Sequence, residues 1–336
     1  MHKKPSSIYL KSLEQRLSEP ANRRQPESIR EVEAFLTAHP QIEQITEVNV
    51  TLLNHITMTA SKAHNERLVR EAGAKYNKQT WRTALDYSIE GINRIEQRRC
   101  IEPFMTIPFE KTKNLGELNC NAGNCALSLA KQLSNIEGSA EQRQRKNILE
   151  QAISFYDESI KLAEQINKTN VSAYTLSFRG DAHKELADST FATDRINHLD
   201  QAADDLSKSA DVLQRTDFEH ASRQYSFASR YQYTAAKLAI KTPERQIDLL
   251  RSAIFNAQNA QKYQNNTDTN YRARLDYDIG KYADALFEIT KQKEAAQLAI
   301  LYFRRAAEHF MEHRGPKDDL EQNALARIGE LTKKIA

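Results

Sequence analysis

The residues with the clearest chemical potential are His309 and His313, which fit the zinc-binding pattern His-x-x-Glu-His. Positions four apart share one face of a helix, so both imidazoles could bind a metal beside the carboxylate of Glu312. That chemistry needs a further acidic ligand well downstream, and only 23 residues follow His313. Histidines in a last helical turn also stabilise the helix dipole without a metal. We therefore expect neither metal binding nor catalysis here.

No other pattern in the sequence indicates an enzyme. Cys100, Cys120 and Cys125 form neither an even disulfide set nor a CxxC pair, and no histidine lies near them. We expect reduced thiols that pack as small apolar side chains. The chain also lacks a P-loop, a GxGxxG motif and a GxSxG motif. The sequence predicts a protein that is not an enzyme and that uses no cofactor.

Composition favours long helices. Among 336 residues there are only 9 glycines and 8 prolines, while 28% are charged, which is typical of amphipathic helices rather than strands. A net charge of +3 neither indicates nor excludes nucleic acid. Because no stretch of about eighteen apolar residues and no signal-peptide core occurs, we expect no membrane partner and a cytoplasmic location. Secretion without a cleaved signal would leave the same sequence pattern.

One packing face stands out in segment 148–164. Ala152, Tyr156 and Ser159 fall at i, i+4 and i+7, so a small, an aromatic and another small side chain share one helical face. In the segment before it, Gly123 is a position where a partner helix can cross closely. The two segments are predicted to form an antiparallel pair that buries this face.

The face recurs along the chain. Its first small residue falls at Ala152, Ala202, Ala253 and Ala299, at intervals of 50, 51 and 46 residues. A near-constant period indicates stacked helical hairpins, none of which can bury its face alone. We expect an all-α, right-handed superhelical array of antiparallel helix pairs. The predicted helices span 6–18, 27–38, 42–76, 81–97, 119–133, 148–164, 171–188, 197–214, 218–240, 243–262, 270–290, 293–313 and 318–334.

Two stretches are predicted to be loops. Residues 101–116 contain two prolines and clustered aromatics, which favours a linker or a functional loop, with Phe104 and Phe109 as binding candidates. The polar stretch 137–146 reads as a solvated turn, and its basic residues, such as Arg145, could contact phosphate. The predicted division is 1–65 as a small N-terminal helical region, 66–100 as a first helix pair, 101–116 as a linker, and 117–336 as the main array with a capping helix.

These units resemble tetratricopeptide repeats. Residues 72–76, Ala-Gly-Ala-Lys-Tyr, with Trp81 and Ala84 beyond them, are similar to that motif at nearly its standard length. Further copies pair Gly123 with Ala152, Gly180 with Ala202, and Gly280 with Ala299, and Ile328-Gly329 looks like a capping first helix. The period exceeds the 34 residues of the motif and its terminal proline is missing. A rival hairpin repeat with longer helices would imply a similar function.

The resemblance implies binding of a peptide or protein in a concave groove lined by first helices. Carried over position by position, the groove residues are Asn121, Asn124, Tyr174, Asp181, Lys184, Tyr225, Ser229, Arg274, Tyr277 and Lys281. Such polar and aromatic groups can bond an extended backbone and pack its side chains, although an ordinary solvated helix face has the same composition. The carboxylate clamp of one subgroup is broken, because Cys120 and Phe178 replace its Lys and its second Asn.

Three functional readings remain open at this point. The first is a non-catalytic adaptor or scaffold that presents the groove to a partner. The second is a peptide- or ligand-responsive regulator in which residues 1–65 are an output module. The third is a self-assembling subunit whose faces are covered by copies of itself.

Overall fold

The computed structural model describes residues 5–42, 45, 47–62, 77–97, 107–264, 269–314 and 319–336. Within these ranges the chain is helical and contains no strand. The helices are α1 Ser7–Ser18, α2 Pro26–Ala38, α3 Val50–Lys62, α4 Lys78–Glu96, α5 Pro108–Lys131, α6 Ala140–Gln165, α7 Thr169–Ala187, α8 Ala192–Leu213, α9 Phe218–Leu238, α10 Pro243–Lys262, α11 Thr269–Thr290, α12 Lys293–Arg314 and α13 Asp319–Ile335. None of them combines the length and hydrophobicity needed to cross a bilayer.

The chain divides into two compact units. The N-terminal unit is Met1–Ser189, which contains α1 to α7, and the C-terminal unit is Thr190–Ala336, which contains α8 to α13. In the described part of the N-terminal unit one large apolar core extends from Leu10 on α1 to Leu186 on α7. The finer boundaries proposed from the sequence stay predictions.

The predicted pair at the centre of the N-terminal unit is α5 and α6. Ala152, Tyr156 and Ser159 are completely buried, as predicted. Gly123 faces Tyr156, while Gly116, about two turns earlier on α5, faces Leu162 further along α6. Because residue numbers fall along one helix as they rise along the other, the helices are antiparallel. The pairing and the buried face are both confirmed.

The C-terminal unit repeats this arrangement. Gly280 on α11 faces the ring of Phe303 on α12, and Asp276 faces His309, so this pair is antiparallel as well. The predicted packing faces of α8, α10 and α12 are all buried: Ala202, Leu206, Ser209, Ala253, Ala257, Ala260, Ala299, Phe303 and Ala306. Small residues at the crossing points let the backbones approach, which explains why the alanine period was informative.

Three helices of the C-terminal unit, α9, α11 and α13, lie side by side in one parallel layer. The contacts that establish their direction join Ser222 to Tyr271, Arg230 to Asp278, Asp284 to Arg327, and Glu288 to Lys334. Residue numbers rise together along both helices of each pair. Alternate helices forming one layer is the arrangement expected of stacked helical hairpins.

The loop predicted at 101–116 is wrong where the structure describes it. From Pro108 onward these residues form the first turns of α5, and Phe109 lies on that helix. Proline is favoured at the first helical position, where no intrahelical N–H bond is lost, so Pro108 begins a helix rather than ending one. Residues 101–106, with Phe104, lie outside the described residues.

The loop predicted at 137–146 is also shorter than expected. Helix α6 begins at Ala140, because the Ser139 hydroxyl caps the helix by accepting from the backbone N–H of Gln142 at 3.0 Å. Arg145 is therefore a helical residue. It is buried in an ion pair with Glu185 on α7 and is not a solvated phosphate ligand.

Two sequence predictions fall partly outside the described residues. The helix predicted at 42–76 is described as Val50–Lys62 only, and the repeat motif at 72–76 lies beyond it. The first helix pair therefore stays a prediction, although its second helix, α4, is present and buries Trp81 and Ala84.

Candidate functional site

Asn121, the first predicted groove residue, is buried between α5 and α3. Its amide nitrogen donates to Asn54 Oδ1 at 2.9 Å, and its oxygen accepts from the Ser61 hydroxyl at 3.2 Å. Only 4% of the residue is exposed. Asn121 fixes the crossing of α3 on α5 and leaves little surface for a partner.

Asn124 orients a core side chain. Its Oδ1 accepts from the Tyr156 hydroxyl at 2.9 Å, and its amide nitrogen lies 3.7 Å from Cys120 Sγ. Burial raises the pKa of the Cys120 thiol to about 11 and raises the pKa of the Cys125 thiol further still. Both cysteines behave as small packed groups.

The other three candidates of the N-terminal unit lie on α7. Tyr174 is 40% exposed. Burial raises the pKa of the Asp181 carboxyl, an effect that the charge of Lys131 opposes. Lys184 is paired with Asp188 at 2.7 Å. Tyr174 is thus the candidate of this helix with most surface for a partner.

In the C-terminal unit, Tyr225 and Ser229 on α9 are buried. The Tyr225 hydroxyl donates to the Asp211 carboxylate, and the Ser229 hydroxyl donates to the Ser226 carbonyl at 2.8 Å. Their hydrogen-bonding capacity is used inside the unit. Beside them on α9, Phe227 and Arg230 reach the surface, and Arg230 is the one that forms an ion pair with Asp278 on α11.

Arg274, Tyr277 and Lys281 on α11 come together at a cavity. It has a volume of about 350 Å³ and opens on the layer of α9, α11 and α13. The remaining lining residues are Arg230, Asp278 and Leu320. The structure therefore places three of the ten predicted groove residues around one space.

The cavity carries an excess of positive charge. Asp278 accepts ion pairs from Lys281 Nζ at 2.7 Å and from Arg230 Nε at 3.5 Å. The exposed guanidinium of Arg274 contacts no carboxylate in the described part of the unit. Three cations thus surround one carboxylate, which gives a potential that attracts anions.

An apolar floor completes the cavity. Tyr277 and Leu320 pack against the buried residues Ala306 and Phe310, and the Tyr277 ring meets Phe303 edge-on with centroids 5.6 Å apart. Burial and the nearby Asp278 raise the pKa of the Tyr277 phenol, so it stays protonated at neutral pH. The cavity can therefore hold an anionic group beside an apolar one.

No protein-family profile and no curated protein sequence matches the chain. Among solved structures, the S. pombe nuclear import adaptor Nro1 matches with a TM-score of 0.50 at 11% identity, over 96% of this chain and 98% of that one. The chain has a helical-repeat fold. At this identity the likeness concerns fold alone.

Two further likenesses are weaker. BtubC from P. vanneervenii matches with a TM-score of 0.40 at 12% identity, over 92% of this chain and 94% of that one. A circular tandem repeat protein with novel repeat topology matches with a TM-score of 0.41 at 14% identity, over 98% and 82% of the two chains.

Of the chemically active residues of the histidine motif, His309 alone has a described side chain. His309 Nε2 lies 3.8 Å from Oδ2 of the fully buried Asp276, whose other oxygen accepts from Gln261 at 2.7 Å. The side chains of Glu312 and His313 lie outside the described residues. Among the side chains that are described, no three of His, Cys, Asp or Glu are grouped so as to hold a metal ion.

Arg230, Asp278 and Leu320 are the cavity residues that were not predicted from the sequence. Arg230 directly follows the predicted candidate Ser229, so the register transferred from the repeat motif was one residue off on α9. On α11 the three predicted residues line the cavity and Asp278 lies between two of them. One signal could have found Arg230: it is the first charged residue after a run of small and aromatic side chains on α9. Asp278 carried no comparable signal.

Proposed function

We propose that this protein is a non-catalytic binding scaffold whose C-terminal unit holds an acidic, extended segment of a partner protein. The observation that carries the proposal is the cavity between α9, α11 and α13, in which Arg230, Arg274 and Lys281 surround one carboxylate above an apolar floor. Carboxylates of the partner pair with these cations, and an adjacent apolar side chain packs on Tyr277 and Leu320.

The three cations have different roles in this proposal. Arg274 has the planar donors that grip a carboxylate through two parallel hydrogen bonds. Lys281 is held by Asp278 and lies 4.9 Å over the Tyr233 ring, so its position is fixed before a ligand arrives. A charge that is already positioned loses less entropy on binding.

The resemblance to tetratricopeptide repeats favours the same surface as the binding site. In that repeat family the first helices of successive hairpins line the binding groove, and α9, α11 and α13 are the helices that correspond to them. A regulator that changes shape on binding a peptide and a self-assembling subunit are the two alternatives, and a cytoplasmic adaptor is the reading we favour.

A selection experiment tests the proposal. The full chain is immobilised and a random twelve-residue peptide library displayed on phage is selected against it, in parallel with the variant R274E/K281E. A matched variant, K208E/R251E, has the same change of charge on exposed residues of α8 and α10 away from the cavity. We expect acidic peptides with a neighbouring apolar residue from the parent and the matched variant only. Equal enrichment of acidic peptides on R274E/K281E would contradict the proposal.

A further inference from the structure

A second cavity lies in the N-terminal unit, remote in sequence from the proposed peptide site. Its volume is about 570 Å³, within the range of sites for small molecules. It is bounded by α3, by the first turns of α5 and by the residue Arg23. The polar residues that line it include Arg23, Asn54, His55, Glu110, Lys113 and Glu117.

The charges around this cavity balance. Arg23 and Lys113 are cationic, while Glu110 and Glu117 are anionic. Lys113 Nζ lies 3.7 Å from the Glu110 carboxylate at the solvent-exposed side. A ligand with only one charge would pair with one of these groups and leave a cavity residue without its counter-charge. An unpaired charge of this kind is costly to bury.

Arg23 is fixed in place at the inner side. Its Nε donates to the Leu17 carbonyl, one Nη donates to the Ser18 carbonyl at 2.9 Å, and the other contacts Met58 Sδ at 2.7 Å. A guanidinium has five N–H groups, so two remain unengaged by these contacts. Burial lowers the pKa of Arg23 and the charge of Glu117 opposes that shift, so the group stays cationic at neutral pH.

His55 is a neutral member of the wall. Its Nδ1 is buried and has no hydrogen-bond partner among the described residues. Burial, together with the neighbouring Arg23 charge, lowers the pKa of His55 to about 4, so the ring is neutral at pH 7. The neutral ring adds no charge to the wall, so the two cations and two anions of the cavity stay in balance.

We infer that this cavity binds a small zwitterionic molecule with the chemistry of a free amino acid or a dipeptide. The ligand carboxylate lies at Arg23 and Lys113, and its ammonium group lies at Glu110 and Glu117. The amide nitrogen of Asn54 donates to the Glu117 carboxylate at 2.7 Å and so holds Glu117 towards the ligand ammonium group. This site is distinct from the peptide cavity and does not depend on it.

Saturation-transfer NMR on the full chain tests the inference. The probes are the twenty common amino acids and glycylglycine. Each is compared with its N-acetylated form, which lacks the ammonium group, and each amino acid is also compared with its decarboxylated amine, which lacks the carboxylate. We expect at least one zwitterion to bind, with both singly charged analogues at least about tenfold weaker. Binding by no probe would overturn the inference, as would an N-acetylated analogue that binds as tightly as its parent.

Variants at the exposed side locate the site. K113Q and E110Q each remove one charge from a partly exposed helical position, so folding should survive. We expect each to weaken zwitterion binding about tenfold or more. K161Q and E158Q alter a more exposed ion pair of α6 outside the cavity and serve as controls. Unchanged affinity of K113Q for the zwitterion would contradict the assignment of the ligand to this cavity. Peptide selection on K113Q shows separately whether the proposed scaffold function stands.

Discussion

Gly123 lies so close to Tyr156 that a Cβ on the glycine would stand 2.5 Å from ring atom Cε1. The ring cannot swing away freely, because its hydroxyl donates to Asn124 Oδ1 at 2.9 Å. The C-terminal unit has the same kind of contact, because a Cβ on Gly280 would stand 2.8 Å from Cδ1 of the Phe303 ring. In both units a glycine on one helix receives an aromatic ring from the next, and this contact sets how closely the pair packs.

The variant G123A should destabilise the N-terminal unit. Alanine favours a helix over glycine by about 1 kcal/mol, but forcing a methyl group into this buried contact costs about 1–3 kcal/mol. We expect a net loss of about 1 kcal/mol in the free energy of unfolding. Urea unfolding followed by fluorescence of Trp81, the single tryptophan, reports on this unit directly.

The control for this prediction is G329A. A Cβ at Gly329 meets nothing within 4 Å, so here only the helix preference acts. Urea unfolding followed by circular dichroism should show a gain of up to about 1 kcal/mol. If G123A and G329A changed stability equally, the close approach at Gly123 would be disproved.

The buried pair of Arg145 and Glu185 should be essential for joining α6 to α7. Their side chains are only 9% and 15% exposed. R145M therefore leaves the largely buried Glu185 carboxylate with no ion pair across the helix contact, only the one to its sequence neighbour Lys184 at 3.3 Å. We expect a loss of about 3 kcal/mol in urea unfolding. The exposed pair of Lys161 and Glu158 is the comparison, and K161M should cost less than about 1 kcal/mol.

A double variant sharpens this test. In R145M/E185L both charges are replaced by apolar side chains, so no uncompensated carboxylate remains. We expect this variant to recover much of the stability lost in R145M. A double variant less stable than R145M would show that the charge pair is not the cause of the loss.

Cys120 and Cys125 should be unreactive in the folded protein. Attack on a thiol reagent requires the thiolate, and burial raises the pKa of the Cys120 thiol to about 11 and that of Cys125 even more. In a C100S variant, titration with an aromatic disulfide reagent at pH 8 should detect no rapidly reacting thiol before denaturation. Both thiols should react after it. One fast thiol in the native protein would contradict the described packing.

Stability of the N-terminal unit should fall as the pH is lowered from about 6.5 towards 4. The pKa of His55 is about 4 in the folded protein and about 6.5 in an unfolded chain, so the unfolded chain binds more protons within this window. The contribution of neutral His55 is fully present above pH 6.5. H55Q should show a smaller loss between pH 7 and pH 5 by Trp81 fluorescence, and an unchanged loss would assign the effect to other groups.

Much of the helical architecture could be predicted from the sequence. The buried face of Ala152, Tyr156 and Ser159 follows from local periodicity, and a period of small residues shows where helices cross. Helix starts were less predictable. Pro108 and Ser139 read as loop residues, yet one begins α5 and the other caps α6, because the same residue types that break helices also begin them.

The site was harder to predict for a different reason. Which residues of a helix face solvent depends on how the helix is rotated against its neighbours, and no local pattern fixes that rotation. Tyr225 and Ser229 were transferred from a shorter repeat, and they turn inward while Arg230 turns outward. The polar cavity beside His55 involves Arg23 and Glu117, which are far apart in sequence and meet only after folding.

The affinity of a selected acidic peptide tests the central claim most directly. Fluorescence anisotropy gives its dissociation constant for the parent chain, for R274E/K281E and for the matched variant K208E/R251E. We predict that binding weakens at least about tenfold in R274E/K281E, or about 1.4 kcal/mol, and stays within about twofold of the parent in the matched variant. Equal affinity of the peptide for the parent and R274E/K281E would contradict a binding role for the cavity of α9, α11 and α13.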